Sequence, residues 1–344
     1  MRRIGYVFEL IISIDNLRAA HEEIKRAKKK KRRLRALVYE ENLETNLQSL
    51  HDRLADETWN MHDYTHMTRC ERGKPREIWY SCSHEDSIVQ HAILRVLGPL
   101  INKKLIRHTY ASIKGRGTHD CVRLLTKFFK SIPEDVPVTI LKADIYHFYD
   151  TIDHQAMDDA IDHFIKEQKT ARLLKRIIHS FPKGLPIGNA LSPLFANMLL
   201  SQLDHYMKEQ QHLTVYHRYL DDIVAVAIGV SGKKLLRLAK DKLVSLVEDL
   251  NMTIKKNLQI FPLERYGLDF LGYVFKRKCI RLRKSTERRF RRCAYRFVDG
   301  CVAALKSLSS YWGTIGWISK PDKLWFSLFT TDIHMMHKIY AAAA

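Results

Sequence analysis

The stretch Tyr216-His-Arg-Tyr-Leu-Asp-Asp-Ile-Val-Ala-Val-Ala227 constrains this chain more than any other. Two adjacent carboxylates, Asp221 and Asp222, interrupt a run whose Ile223, Val224 and Val226 favour a pleated, half-buried strand. Such a pair between two strand segments suits the tight turn of a β-hairpin, because Asp tolerates unusual backbone angles. The turn would hold both carboxylates at the lip of a sheet. Hard oxygen ligands on a rigid element are what Mg²⁺ needs, and two such ions about 4 Å apart would activate a hydroxyl and steady a leaving phosphate.

A lone Asp-Asp pair is usually a solvated turn, but a second acidic strand lies 77 residues upstream. There Asp144 ends the apolar run of Val138, Ile140 and Leu141. Between the two sits Gly184-Leu-Pro-Ile-Gly-Asn-Ala-Leu-Ser-Pro193, opening a helical run that reaches Asp204. An Asp strand, a Gly-rich loop before a helix, and a Tyr-X-Asp-Asp hairpin, in that order, resemble the reverse transcriptases. The resemblance covers roughly residues 8 to 320 and implies an α+β, right-hand polymerase fold with fingers, palm and helical thumb. Its boundaries would be a basic helical extension over 1–40, fingers over 41–137, palm over 138–154, a return to the fingers over 155–183, palm with the hairpin over 184–275, and thumb over 276–340.

Composition agrees with a nucleic-acid partner. Lys and Arg number 58 against 38 Asp and Glu, a net +20 that repels itself unless a polyanion is bound. With 46% hydrophobic residues a core is available, so wholesale disorder is excluded. The cysteines Cys70, Cys82, Cys121, Cys279, Cys293 and Cys301 form no Cys-X-X-Cys and read as reduced thiols of a cytoplasmic protein. The apolar start, Ile4 to Ile14, is broken by Glu9 and too short to span a bilayer; it reads as an amphipathic helix, and no membrane partner is expected.

The same resemblance assigns roles. Asp144, Asp221 and Asp222 would be catalytic and, with the backbone at Ile145, would hold two Mg²⁺ ions, Mn²⁺ being a substitute. Arg72-Gly-Lys-Pro-Arg-Glu-Ile-Trp-Tyr80 reads as a hairpin closing over the nucleotide, with Lys74 and Arg76 on its phosphates. Tyr149 would floor the sugar and exclude a 2′-hydroxyl. Its odd spacing from Asp144 allows this only if the chain turns after Ile145. Ile187 and Gly188 would lie under the nascent pair, and Lys256, in a strand over Thr253–Asn257, would assist the leaving pyrophosphate. Phe270, Leu271, Gly272 and Tyr273 would form the primer grip. Each assignment competes with a plainer reading: an exposed basic turn for Lys74 and Arg76, a core aromatic for Tyr149, simple packing for Ile187.

Helical spacing is expected over Glu41–Leu54, over Asp86–Leu100 with Ile88, Ala92, Val96 and Leu100 on one side, over 155–183, and from Lys233 to Leu250. Lys114-Gly-Arg-Gly-Thr-His-Asp120 should open a helix through Thr118 and resembles the loop that touches template backbone, through Arg116. Nucleic acid would also meet Lys28, Lys29, Lys30 and Lys31 in the basic run Lys25–Arg35, and Arg281, Arg283 and Arg288 in the basic stretch Lys276–Arg292. Template RNA, a DNA or RNA primer and deoxynucleotides are the implied partners. Ile187-Gly188 in place of Gln-Gly resembles the diversity-generating retroelement branch, which works with a small basic oligomeric accessory protein and a structured template-repeat RNA. Ser192-Pro193 resembles the retron, phage-defence and intron enzymes instead. A non-catalytic RNA-binding relative is a further reading, disfavoured by the three carboxylates being present.

Overall fold

Alternation of apolar residues along strands and their three-to-four spacing along helices produce a mixed α+β chain. The computed structural model describes residues 2–27, 34–71, 74–298, 300, 301, 303–321 and 324. In chain order the helices are α1 Phe8–Ile12, α2 Ile14–Ala27, α3 Leu34–Glu41, α4 Leu43–Ala55, α5 His84–Asn102, α6 Thr118–Ser131, α7 Phe148–Thr151, α8 His154–Phe164, α9 Gln168–His179, α10 Ser192–Leu199, α11 Ser201–His205, α12 Gly232–Glu248, α13 Leu263–Tyr266, α14 Lys284–Val298 and α15 Ala304–Ile315. The strands are β1 Tyr64–Glu71, β2 Lys74–Ser81, β3 Thr109–Tyr110, β4 Val138–Asp144, β5 Val215–Tyr219, β6 Asp222–Ile228, β7 Gln259–Pro262, β8 Leu268–Phe270, β9 Tyr273–Phe275 and β10 Ile280–Leu282.

Two units divide the chain. The first holds Met1–Ile113, Ala143–Val224 and Leu238–Leu258; the second holds Lys114–Lys142, Ala225–Arg237 and Gln259–Ala344. A five-stranded sheet runs β3-β5-β6-β4-β7.

In the first unit α2 and α1 pack on α5. Ile11, Ile12, Leu17, Ala20, Val89 and Ile93 are buried there. Asn16 fixes the packing by donating to the carbonyls of Ile11 (2.9 Å) and Ala92 (3.1 Å). The amphipathic helix expected from Ile4 is broken: Ser13 takes an extended ψ between α1 and α2, and Ile4 instead bridges Ile165 as an extended residue. Along α5, Ile88 and Ala92 are buried as expected, but Val96 and Leu100 are only half-buried. Val89, Ile93 and Leu97 complete the core face, because this helix has neighbours on more than one side. The expected hairpin exists as β1 and β2, antiparallel from Tyr64 opposite Ser81 to Glu71 opposite Lys74.

In the second unit α6 starts at Thr118, so Gly117 and not Thr118 is the capping residue. Phe129 of α6 meets Phe275 of the antiparallel β10-β9-β8 sheet at 6.1 Å between centroids. The turn Leu271-Gly272 joins β8 to β9 with both residues at positive φ, +51° and +89°. The Tyr273 hydroxyl donates to the Thr314 carbonyl at 3.0 Å, tying this sheet to α15. The strand expected over Thr253–Asn257 is absent. Only Ile254 pairs, as a single bridge to Ile145, and the true strand, β7, starts at Gln259. The cysteines are free thiols. Among the described residues no helix is long and apolar enough to cross a membrane.

Within β5 of the first unit His217 is buried and its Nδ1 meets the Tyr110 hydroxyl at 3.0 Å. Burial, reinforced by His108, pushes the proton affinity of this ring well below the ordinary histidine range. The unfolded chain takes up a proton near pH 6.5, whereas the folded chain resists it, so stability falls as pH drops below that value. Acidification from pH 7.5 to 5 should therefore lower the melting temperature, this ring contributing up to about 1.4 kcal/mol per pH unit below pH 6.5. In His217→Gln the melting temperature should decline less steeply over the same range, as calorimetry would show.

Candidate active site

The hairpin β5–β6 turns through two residues, Leu220 and Asp221, and Asp222 is already the first residue of β6. Leu220 has φ +54°, a left-handed conformation that a branched residue adopts at a cost of about 1–3 kcal/mol. This turn thus presents Asp221 alone at its tip, where the sequence suggested that both carboxylates occupy it.

Asp144 ends β4 and lies beside that tip. The Ile145 amide donates to the Asp221 carbonyl at 3.3 Å, and Ile145 itself is fully buried. Burial pushes the Asp221 carboxyl up from the usual carboxylate range and the negative charge of Asp144 pushes it further. Backbone hydrogen bonding, Lys255 and Arg76 oppose them. Two carboxylates sharing charge repulsion in a half-buried setting attract a cation. Lys255 answers that attraction: its Nζ meets Asp144 Oδ1 at 2.5 Å. Residues 253–255 run beside 144–146, with Lys255 N donating to Asp144 O (2.8 Å) and Tyr146 N to Thr253 O (2.7 Å). This alignment aims Lys255 inward and leaves Lys256 exposed.

Asp144 and Asp221 fit a hard divalent cation by donor type and by the charge tension between them. Among the described residues no group of three or more His, Cys, Asp or Glu gathers as a metal cluster, so Asp222 does not complete a preformed three-ligand set.

Around the carboxylates the other residues fall as follows. The chain does turn after Ile145: His147 is left-handed (φ +41°) and α7 begins at Phe148. This puts the half-buried Tyr149 within the electrostatic reach of Asp221 and Arg218, while burial chiefly pushes its phenol up. Leu185 N donates to Tyr149 O at 2.8 Å, and Gly184 (φ +71°) has no room for a Cβ against that carbonyl. The Ile187 carbonyl accepts from Trp79 N of β2 at 2.8 Å. Gly188 (φ +126°) lies so close to β2 that a Cβ would stand 2.6 Å from Trp79 O. Arg76 is exposed on β2 and acts on Asp221 through its charge. Lys74 begins β2; Arg72 and Gly73, at the hairpin's tip, lie outside the described residues, as do Lys28, Lys29, Lys30 and Lys31.

The remaining nominated residues are in the second unit. Arg116 is half-buried in the loop before α6. Phe270 and Tyr273 are buried, flanking the Leu271-Gly272 turn. Arg283 donates to Asp269 Oδ1 at 2.6 Å and its amide to Gly272 O at 2.9 Å, so its first task is to hold that turn. Arg281 and Arg288 are exposed.

The sequence profile of the reverse transcriptase (RNA-dependent DNA polymerase) family matches residues 69–275, the span that carries every feature of the carboxylate site. The chain belongs to the reverse transcriptase family. Protein YkfC of Escherichia coli (strain K12) is similar at 24% identity over 135 residues, 36% of this chain and 35% of that protein. The chain thus matches about a third of this curated relative's length. Among solved structures, apo telomerase from Candida tropicalis superposes with a TM-score of 0.51 at 14% identity, covering 73% of this chain and 53% of that one. The same telomerase truncated from its C-terminal domain gives 0.48 at 15% identity, covering 64% and 55%. At such identity the likeness shows the fold alone, a right-hand polymerase fold.

Sequence reading of this family member missed Lys255, because it placed 253–257 in a strand and chose the neighbouring lysine. It also missed Gln90, whose side-chain oxygen accepts from Ala190 N at 2.9 Å and ties the 184–191 loop to α5. Lys255→Met should reduce nucleotide incorporation at least tenfold more than Lys256→Met does, since only Lys255 reaches the carboxylates. Single-turnover incorporation by the two variants checks this.

Proposed function

We propose that the chain is an RNA-directed DNA polymerase that extends a DNA or RNA primer on an RNA template, and that it serves a diversity-generating retroelement by copying its template RNA with errors. The observation that carries the polymerase reading is the half-buried Asp221 held beside Asp144, within a site whose flanking cations are Lys255 and Arg76.

Asp144 and Asp221, with Asp222 adjoining, would hold Mg²⁺, which supplies the Lewis acidity that prepares the primer 3′-hydroxyl and offsets charge on the triphosphate. Arg76 is suited to the incoming phosphates, being exposed and close enough to influence Asp221. Lys255, which the structure pairs with Asp144, would offset charge on the departing pyrophosphate. Tyr149, near enough to feel the charge of Asp221, would floor the sugar. Ribonucleotides are then refused because the ring fills the space of a 2′-hydroxyl. The fingers, palm and thumb boundaries set out above, the primer grip at Phe270–Tyr273 and the phosphate contacts of Arg116, Arg281 and Arg288 belong to the same proposal. The +20 net charge supports it, since an A-form heteroduplex is bound through backbone and sugar.

Asp144→Asn and Asp221→Asn should each abolish Mg²⁺-dependent deoxynucleotide addition, with RNA affinity changed less than about threefold, because binding rests on the distributed basic charge. Primer extension and filter binding on one primed RNA decide it; substantial extension by either variant would remove the carboxylate assignment.

The retroelement branch rests on Ile187. A Gln amide can hydrogen-bond neighbouring groups into one geometry, whereas Ile offers shape alone. Fewer fixed polar contacts narrow the energy gap between right and wrong pairs, and each 1.4 kcal/mol or so is about tenfold in discrimination. The small basic accessory protein and the template-repeat RNA are partners that this branch implies. A retron or phage-defence role is the second reading, favoured by Ser192-Pro193. Sequencing of cDNA from an adenine-rich RNA should show errors concentrated at template adenine that decline several-fold in Ile187→Gln. Equal and low error at all four bases would leave the polymerase and remove the branch.

A further inference from the structure

We infer that the buried Asp204–Arg218 ion pair is the positioning device of the catalytic turn: through Arg218 it fixes the peptide plane that presents Asp221 to a divalent cation. The inference rests on the polymerase reading for its purpose, but its geometry stands separately. Arg218, in β5, and Asp204, in α11, are both wholly inaccessible to solvent. Arg218 Nε contacts Asp204 Oδ1 and Oδ2 at 2.8 and 2.9 Å, and Nη2 contacts Oδ2 at 2.7 Å. The Tyr216 and Thr109 hydroxyls donate to the same carboxylate at 2.9 and 3.0 Å, so its acceptor capacity is filled from three directions.

That leaves Nη1, which carries two N–H groups. One meets Asn197 Oδ1 in α10 at 3.1 Å and the other meets the Leu220 carbonyl at 3.2 Å. The Leu220 carbonyl belongs to the peptide unit whose nitrogen is that of Asp221. Holding this oxygen therefore sets the plane from which the Asp221 Cα and its carboxylate project. The next peptide unit is held as well, because Ile145 N donates to Asp221 O. Asp221 is consequently gripped on both sides, by Arg218 before it and by the Asp144 strand after it.

Stability alone does not account for the arrangement. Removing two charges from water costs several kcal/mol per ion, and apolar replacements of buried pairs are often neutral or stabilising. What an apolar pair could not supply is a donor for Leu220. This residue sits at φ +54°, where a leucine is strained and a turn relaxes unless its surroundings hold it. A guanidinium is suited to the task because its planar fork engages a carboxylate on one edge and keeps further N–H groups free for other acceptors. Asn197 and Asp204 lie seven residues apart on successive helices α10 and α11, and both read the same arginine. The strained turn is thereby referred to the helix that follows the 184–191 loop.

Two variants separate positioning from folding. Arg218→Gln combined with Asp204→Asn removes both charges, keeps an acceptor for Tyr216 and Thr109, and withdraws the Leu220 donor. Arg218→Lys keeps the charge pair but cannot span Asp204, Asn197 and Leu220 together. Four quantities are read on the full chain: melting temperature, Mn²⁺ binding to the protein alone by electron paramagnetic resonance, and incorporation kcat and nucleotide KM on a primed RNA. A folded variant should need about tenfold more Mn²⁺ for half-saturation, equivalent to about 1.4 kcal/mol. Its kcat should fall at least as far, with KM changed less than threefold. Asp221→Asn supplies the floor for Mn²⁺ binding. A folded variant with wild-type Mn²⁺ binding would overturn the inference, and so would unfolding of both variants, since the pair would then serve folding alone. If the double variant alone fails to fold, Arg218→Lys decides. If the wild type binds Mn²⁺ but incorporates no nucleotide, the polymerase reading falls while the positioning comparison still stands or fails on Mn²⁺.

Discussion

Asp144 and Asp221 repel one another across the end of a sheet, and the half-buried position of Asp221 makes that repulsion strong because little water screens it. Everything near them acts to hold like charges together or to offset them. Main-chain bonds hold them, running from Ile145 to Asp221 and from Lys255 to Asp144, so neither strand end can move away without breaking a backbone pair. Lys255 and Arg76 offset them, one in direct contact and the other through its field. A carboxylate pair left to itself in such a setting would gain a proton, which is how isolated buried charges relieve themselves. Lys255 and Arg76 oppose that proton uptake at Asp221 and so favour the ionised form that a metal needs.

The same constraint explains why the carboxylates were readable from sequence while their supports were not. Asp221 and Asp144 interrupt apolar strand patterns, and an interruption at a strand end is visible in one dimension. The hairpin β1–β2 and the helices α8, α9 and α12 were legible for the same kind of reason, periodicity bounded by turn residues. Lys255 was not, because a lysine beside a lysine carries no periodic signal. Only the pairing of 253–255 with 144–146 decides which one faces inward. Arg218 carries no sequence signal of its own; its burial is matched by Asp204, fourteen residues earlier on a helix. The extended Ile4 and the single bridge at Ile254 were likewise set by long-range partners, Ile165 and Ile145.

The 184–191 loop shows how such a site can vary its selectivity without losing its shape. Main-chain groups make three of its polar contacts, Leu185 N to Tyr149 O, Ile187 O to Trp79 N, and Ala190 N to Gln90, and the Asn189 side chain adds bonds to Tyr64 and Leu191. Glycines at 184 and 188 let the loop press against Tyr149 and Trp79, where a Cβ would collide. The hydrogen bond of residue 187 to Trp79 is made by its carbonyl, so a change of side chain there keeps that bond. The Ile187 side chain is half-buried and apolar. Under the proposed function, an exchange there would alter what the loop offers to a base pair and leave the bonds of the carboxylates, their lysine and Arg218 unchanged. On the proposed reading, a fidelity that depends on one side chain and a chemistry that depends on a separately anchored turn can change independently. A polymerase can then tolerate errors while keeping its rate.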